Sequence, residues 1–142
     1  MKITVPDPSL VVLVGPSGSG KSTFAARHFR PTEVLSSDAC RALVSDHEGD
    51  QSVTDAAFEL LHYIAAKRLA HQRLTLVDAT NVYPEDRQKL VHLAREFPTL
   101  AVAIVFDIAD RICLERNRQR PDRNFGPHVV AALAIVASAV LP

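Results

Sequence analysis

The chain has 142 residues, 47% of them hydrophobic and 23% charged, which is enough for one domain with a buried core. The 16 Lys and Arg residues balance 16 Asp and Glu residues, so the net charge is zero and gives no reason to expect nucleic-acid binding. Any such binding would have to depend on local clusters of positive charge. The two cysteines and six histidines lack zinc-site spacing, and the amino terminus lacks a signal-peptide pattern. The longest apolar stretch, 129–141, is shorter than the roughly 20 residues of a membrane span. We expect a cytoplasmic protein with no membrane partner.

Strands and helices alternate along the sequence, which is typical of an α/β fold with a parallel sheet. Pro31 ends the first helix, and 52–55 resembles a capping box for the long third helix. In chain order, the predicted elements are a strand at 10–14, a helix from 22 to about 30, strand 32–36, helix 38–44, a helix from about 52 to 72, strand 74–78, a helix from 84, strand 100–106 and helix 110–120.

The stretch 15–23 carries the most specific motif of the sequence. It matches G-x-x-x-x-G-K-[ST], the phosphate-binding P-loop, and lies between an apolar strand and a helix. The backbone N–H groups of such a loop, and the helix N-terminus that follows it, attract phosphate. The motif predicts that Lys21 reaches the β- and γ-phosphates of ATP and that the Ser22 hydroxyl binds Mg²⁺. The candidate nucleotide-binding residues are Gly15, Ser17, Gly18, Ser19, Gly20, Lys21, Ser22 and Thr23.

Two carboxylates follow the second and third predicted strands. Ligands of parallel α/β sheets bind beyond the carboxyl ends of the strands, so Asp38 and Asp78 are expected at the same edge as the P-loop. Asp78 has the position of a Walker B carboxylate that holds Mg²⁺; the alternative is a residue that caps Thr80 or Asn81. Asp38 is either the general base for an acceptor hydroxyl or, like Ser37, a helix cap.

Arginines form two further candidate groups. Arg41 lies three residues after Asp38 on the same helical face, and it either holds a phosphate of the acceptor or forms an exposed ion pair. The segment 111–123 has five arginines against two carboxylates. Arginine is well suited to phosphate, so this segment predicts a lid over the transferred group, with a solvated basic helix as the alternative. Its arginines are Arg111, Arg116, Arg118, Arg120 and Arg123.

Together these segments resemble the N-terminal kinase domain of bacterial polynucleotide kinase-phosphatase, an RNA end-healing and repair enzyme. The resemblance runs from residue 1 to about 130 and rests on 15–23, 36–46, 77–81 and 115–123. It implies an α/β P-loop NTPase fold, adenylate-kinase-like, with a central parallel sheet of four to five strands, flanking helices and an arginine-bearing lid. It also implies an ATP- and Mg²⁺-dependent kinase acting on 5′-hydroxyl ends of RNA or DNA, within a larger protein that carries phosphatase and ligase-like modules.

The resemblance also assigns roles to individual positions. It gives ATP·Mg²⁺ binding to Lys21 and Ser22, the general base to Asp38 and the acceptor phosphate to Arg41. Arg116 and Arg120 match lid arginines on the ATP phosphates, and Arg123 lies in the same segment. The predicted catalytic residues are Lys21, Asp38, Arg41, Arg116 and Arg120; Arg116, Arg120 and Arg123 are also predicted to bind nucleotide, and Ser22 and Asp78 the metal.

We expect 1–142 to be a single P-loop kinase domain whose apolar tail, 131–142, departs from the family pattern. The tail forms either a fifth strand or a short helix. Two other functions are compatible with the sequence. One is a small-molecule or nucleoside kinase, although the short polar segment 46–52 suits an open acceptor groove better than a closed pocket. The other is a nucleotide-binding module without turnover.

Overall fold

A computed structural model describes residues 4–106 and 133–136. Their strands form one five-stranded sheet in the order β2-β3-β1-β4-β5. The strands are β1 (Leu10–Val14), β2 (Val34–Ser36), β3 (Thr75–Asp78), β4 (Ala101–Phe106) and β5 (Leu133–Val136). The helices are α1 (Lys21–His28), α2 (Ser37–Ser45), α3 (Thr54–Ala70) and α4 (Pro84–Glu96), and short 3₁₀ turns occupy Pro31–Glu33 and Gln51–Val53.

The first four strands are parallel, and β1 lies at the centre between β3 and β4. Alternate β1 side chains enter two different hydrophobic clusters, as the two-residue period of a strand requires. Leu10 and Val12 pack in a cluster with residues of α3 and α4, whereas Val11 and Leu13 pack in a second cluster with residues of α1. Helices therefore cover both faces of the sheet, which confirms the predicted α/β architecture.

The fifth strand runs antiparallel to β4 at the edge of the sheet opposite β2, with Ile135 level with Ile104. Of the two forms expected for the apolar tail, the described residues 133–136 adopt the strand. The parallel part of the sheet thus has four strands. The predicted helix 110–120 and the other residues of the tail lie outside the described part of the chain.

Element boundaries differ from the predicted ones mainly at caps. Pro31 opens a 3₁₀ turn closed by the Glu33 carboxylate, which accepts the Arg30 N–H at 2.7 Å, so β2 starts at Val34 rather than at residue 32. The capping box predicted at 52–55 is wrong. Asp50 instead accepts hydrogen bonds from the backbone N–H and the hydroxyl of Ser52, and α3 starts at Thr54.

The long helix α3 buries a narrower stripe than its apolar pattern suggested. Its buried residues are Ala57, Leu61, Ala65 and Leu69, at spacings of four along one face, whereas Ala56 is exposed. No helix within the described ranges is both long and apolar enough to cross a membrane.

Candidate active site

The P-loop bridges the end of β1 and the start of α1, and its backbone depends on glycine. Gly18 and Gly20 have φ values of 85° and 99°, in the left-handed region that other residues rarely adopt. Gly15 is needed for space, because a Cβ there would lie 3.0 Å from Cβ of Phe106 and 2.9 Å from Oγ of Ser19. The loop therefore follows a path close to β4 that leaves no room for a side chain at its first position.

Lys21 is the first residue of α1, so the lysine follows the loop directly, at the helix N-terminus where anions are favoured. The residue is 8% exposed, and its ammonium donates a hydrogen bond to the Pro16 carbonyl at 3.0 Å. The side chain thus folds back across the loop it follows. A phosphate cradled by the loop would lie within the field of this ammonium.

Ser22 and Asp78 are 56 positions apart in sequence and meet at the carboxyl edge of the sheet. The Ser22 hydroxyl donates a 2.7 Å hydrogen bond to Oδ2 of the Asp78 carboxylate, and Asp78 is buried. The structure therefore gives the Asp78 carboxylate a partner on α1, as a shared metal site of these two residues would require.

These two oxygen ligands fit Mg²⁺, which takes one or two protein oxygens and completes its shell with substrate phosphates and water. Within residues 4–106 and 133–136 there is no cluster of three or more acidic, histidine or cysteine side chains that could hold a metal by itself. A site that relies on phosphate oxygens is consistent with that finding. Ser22 and Asp78 are the side chains that would contribute to it.

The loop after β3 ties the carboxylate strand to the P-loop. The Gly15 N–H donates to the Thr80 carbonyl at 2.9 Å, and the Asn81 amide donates to the Leu13 carbonyl at 2.8 Å. Asn81 is 3% exposed and has a φ of 51°. Arg87 of α4 donates to the Asn81 and Val82 carbonyls at 3.0 and 2.9 Å. This support was not predicted from the sequence, although 77–81 is one of the stretches on which the family resemblance rests.

Asp38 and Arg41 occupy the first two turns of α2, directly beyond β2. Ser36 is paired in register with Asp78, so Asp38 lies two residues beyond the level of the β3 carboxylate. The helix cap is Ser36, whose hydroxyl oxygen accepts the Ala39 N–H at 3.2 Å. Asp38 is therefore not the cap, and the alternative reading of this residue as a cap is wrong.

The pair itself is close and asymmetric. A terminal nitrogen of the Arg41 guanidinium, Nη1, donates to Oδ1 of Asp38 at 2.8 Å. The Arg41 side chain is 11% exposed and that of Asp38 is 48% exposed. This is not the exposed ion pair considered earlier, because the cation is enclosed while the carboxylate is open to solvent. The arrangement leaves an accessible carboxylate held by a buried positive charge.

Cys40 lies between these two residues in sequence but turns into the core. Burial raises the pKa of its thiol, which keeps the sulfur protonated and unreactive at neutral pH. Cys40 therefore anchors α2 by packing in the hydrophobic core.

The predicted lid residues Arg116, Arg120 and Arg123 lie outside the described residues, as do Arg111 and Arg118. At the opposite end of α3, beside the amino ends of the strands, a shallow cavity of about 300 Å³ is lined by Tyr63, Ile64, Lys67, Arg68, His71 and Arg73. This cavity is remote from the P-loop and is not part of the candidate site. The described residues of the candidate site are Gly15–Thr23, Asp38, Arg41 and Asp78.

Comparison with known proteins supports the predicted relationship. A family model described as an AAA domain matches residues 10–136. No curated protein is significantly similar to the sequence.

Solved structures of an RNA repair complex, Pnkp1/Rnl/Hen1, are similar to the chain. One has 25% sequence identity and a TM-score of 0.70 over 87% of this chain and 42% of the other. The other has 26% identity and a TM-score of 0.66 over 82% and 41%. The chain thus spans about two fifths of the length of these relatives.

The APS kinase CysC of Mycobacterium tuberculosis, in complex with AMPPNP and APS, shares the fold. It has 22% identity and a TM-score of 0.63, over 83% of this chain and 73% of its own. With nearly the whole sequence matched by the family model, and kinases among its structural neighbours, the chain belongs to the AAA domain family and has the fold of the P-loop kinases.

Proposed function

We propose that the protein is an ATP-dependent polynucleotide 5′-hydroxyl kinase, which transfers the γ-phosphate of ATP to the 5′-OH end of RNA or DNA during nucleic-acid repair. The observation that carries the proposal is the Asp38–Arg41 pair at the same sheet edge as the P-loop. A buried guanidinium next to an accessible carboxylate provides one group for an acceptor phosphate and one for an acceptor hydroxyl. The similarity to the RNA repair complex supports the same acceptor class.

The donor half of the reaction belongs to the P-loop. Its backbone N–H groups and Lys21 would hold the triphosphate, with Ser22 and Asp78 supplying oxygen ligands for Mg²⁺. When bound, Mg²⁺ would neutralise charge on the phosphates. We assign to Arg116, Arg120 and Arg123, from the sequence alone, the stabilisation of the transferred group.

The acceptor half belongs to α2. Arg41 would bind the phosphate that follows the terminal nucleoside and so orient the 5′-hydroxyl towards Asp38. Asp38 accepts the hydroxyl proton while the O5′–phosphorus bond forms and the bond from the γ-phosphorus to the ADP oxygen breaks. One carboxylate oxygen accepts from Arg41, and the other remains for the hydroxyl. The products are ADP and a 5′-phosphorylated strand.

The experiment is a transfer assay with γ-labelled ATP and an oligonucleotide that ends in 5′-OH, compared with the same oligonucleotide already 5′-phosphorylated. We expect label only on the first. Asp38→Asn keeps the size of the side chain but cannot act as a base, so transfer should fall by about 10²- to 10⁴-fold. ATP affinity should stay close to that of the wild type in this variant, whereas Lys21→Ala should lower both the transfer rate and the ATP affinity.

The second candidate is a small-molecule kinase, favoured by the fold shared with APS kinase and with a gluconokinase from Sinorhizobium meliloti. Label on a small alcohol, with none on the oligonucleotide, would favour a small-molecule kinase over the proposed polynucleotide kinase. ATP binding without transfer to either class of acceptor would indicate a nucleotide-binding module. As partners of this domain we propose phosphatase and ligase-like modules of a larger repair protein.

A further inference from the structure

The Arg41 guanidinium is held from two sides by different elements. Nη1 donates to Asp38 within α2, and Nε donates to Oγ1 of Thr54, the first residue of α3, at 3.2 Å. The second contact spans 13 positions in sequence and crosses from one helix to the next. It therefore sets the direction of the guanidinium plane, which the single bond to Asp38 leaves free to rotate.

The direction of these bonds follows from the chemistry of the groups. A guanidinium can only donate, so the Thr54 oxygen must accept from Nε and its own hydrogen must point elsewhere. The Gln51 side-chain carbonyl oxygen lies 3.4 Å from the Thr54 oxygen and accepts the hydrogen bond that the hydroxyl donates. The described contacts thus form a chain of donors from Arg41 to Thr54 to Gln51.

Threonine at a helix start usually serves as a cap, but this hydroxyl does not. The residue before α3 is Val53, which provides no side-chain cap, and the preceding 3₁₀ turn is closed by Asp50. Among the described residues, Thr54 Oγ1 forms hydrogen bonds with Arg41 and Gln51. Helix capping therefore does not explain the position of the Thr54 hydroxyl, whereas a role in orienting the Arg41 guanidinium does.

We propose that Thr54 is a positioning residue for the acceptor: its hydroxyl orients the Arg41 guanidinium towards the phosphate of the incoming strand and keeps Asp38 paired. The inference deepens the proposed function and rests on it. Thr54 itself touches neither substrate. With two of its five N–H groups bonded to Thr54 and Asp38, the guanidinium presents the others in a fixed plane to an oxyanion.

The test is a double-mutant cycle in transfer kinetics. Thr54→Val keeps the branched shape and removes the hydroxyl, and should raise the KM for the 5′-OH oligonucleotide about tenfold. The KM for ATP should change less than about twofold, and Thr54→Ser should restore most of the loss. In an Arg41→Ala background, measured under single-turnover conditions, Thr54→Val should have no further effect.

Ser45→Ala is the matched control, because the Ser45 hydroxyl bonds to the backbone carbonyl of Arg41 at 3.2 Å and not to its guanidinium. It should leave the acceptor KM unchanged. An equal effect of Thr54→Val with and without Arg41 would overturn the proposal, as would a matching rise in the ATP KM. Both results would indicate a general structural role.

Failure of the proposed function can be recognised separately. If the wild type labels a different acceptor, the same four proteins are assayed with that acceptor, and coupling between Thr54 and Arg41 would retain the positioning role without the polynucleotide. If the wild type labels no acceptor, both proposals fall. A cycle in urea unfolding would then still measure the hydrogen bond itself.

Discussion

The hydroxyl of Ser22 and the carboxylate of Asp78 are joined by a 2.7 Å hydrogen bond that links the first turn of α1 to the end of β3. The bond brings together two side-chain oxygens from distant parts of the sequence. It also orients the carboxylate that we assign to the metal.

Asp78→Asn keeps the side-chain size but removes the charge that would hold Mg²⁺. We expect the Mg²⁺ concentration for half-maximal transfer to rise at least about tenfold, because a neutral amide is a weaker ligand for a hard cation. The measurement is the initial rate against Mg²⁺ at fixed ATP. Glu59→Gln, at an exposed carboxylate of α3, is the control and should follow the wild-type curve. A wild-type response from Asp78→Asn would remove Asp78 from the metal site.

Gly15→Ala should disturb the P-loop, because the added Cβ would lie 3.0 Å from Cβ and 3.3 Å from the carbonyl oxygen of Phe106. We expect a loss of about 1–3 kcal/mol in the free energy of unfolding and a clear loss of ATP affinity. Urea unfolding and calorimetric ATP titration measure the two effects.

Gly49→Ala is the matched control. Its Cβ would meet only the exposed His47 ring, whose Nδ1 accepts the Gly49 N–H at 3.0 Å. Turning the ring away costs at most this one exposed hydrogen bond, so the free energy of unfolding should change by no more than about 1 kcal/mol. Similar losses at both glycines would show that the constraint at Gly15 is not local to the P-loop.

Asn81→Ala should destabilise the loop after β3. It leaves the buried Leu13 carbonyl without its 2.8 Å donor and places alanine at a φ of 51°. The expected cost is about 1–3 kcal/mol in the free energy of unfolding. In Asn81→Gly the glycine adopts this backbone angle without strain and only the amide hydrogen bond is lost. Comparing the two variants therefore separates the cost of the hydrogen bond from the cost of backbone strain. Equal stability of the alanine variant and the wild type in urea would contradict this account.

His62 of α3 makes stability depend on pH. Desolvation by burial, followed by the positive charge of Lys89, lowers the pKa of its imidazole below 6.5, and nearby Asp86 opposes the shift in part. The unfolded state then binds more protons than the native state as pH falls below about 6.5. The contribution of His62 is therefore present above this pH and is lost progressively below it.

The expected observation is a smaller decline in the free energy of unfolding between pH 7 and 5 for His62→Gln than for the wild type. Urea unfolding at several pH values measures it. His92→Gln, at an exposed position, serves as the control and should retain the wild-type slope. Identical slopes for His62→Gln and the wild type would show that burial does not penalise the charged ring.

The sequence predicted the strands and the P-loop well, because each combines a short apolar run with a turn of restricted chemistry. β1 has the predicted bounds, and the other described elements differ by only a few residues at their ends. The strand order was not predicted, since it depends on long-range pairing that local patterns do not encode. The antiparallel direction of β5 was missed for the same reason.

The residues of the candidate site likewise fall into those that local sequence patterns indicate and those that depend on long-range contacts. Residues with a motif or a position at a strand end, such as Lys21 and Asp38, could be selected as candidates from the sequence. Asn81, Arg87 and Thr54 act through contacts made only in the folded chain. Thr54 could not be recognised from the sequence, because a threonine at a helix start is usually interpreted as a cap.

The order β2-β3-β1 also sets a length scale for the reaction. Neighbouring strands are about 4.8 Å apart, so the ends of β2 and β1 are separated by roughly 10 Å, with β3 between them. A donor held beyond β1 and an acceptor held beyond β2 would face each other across one strand. Under the proposed function, the transferred group would cross the tip of β3.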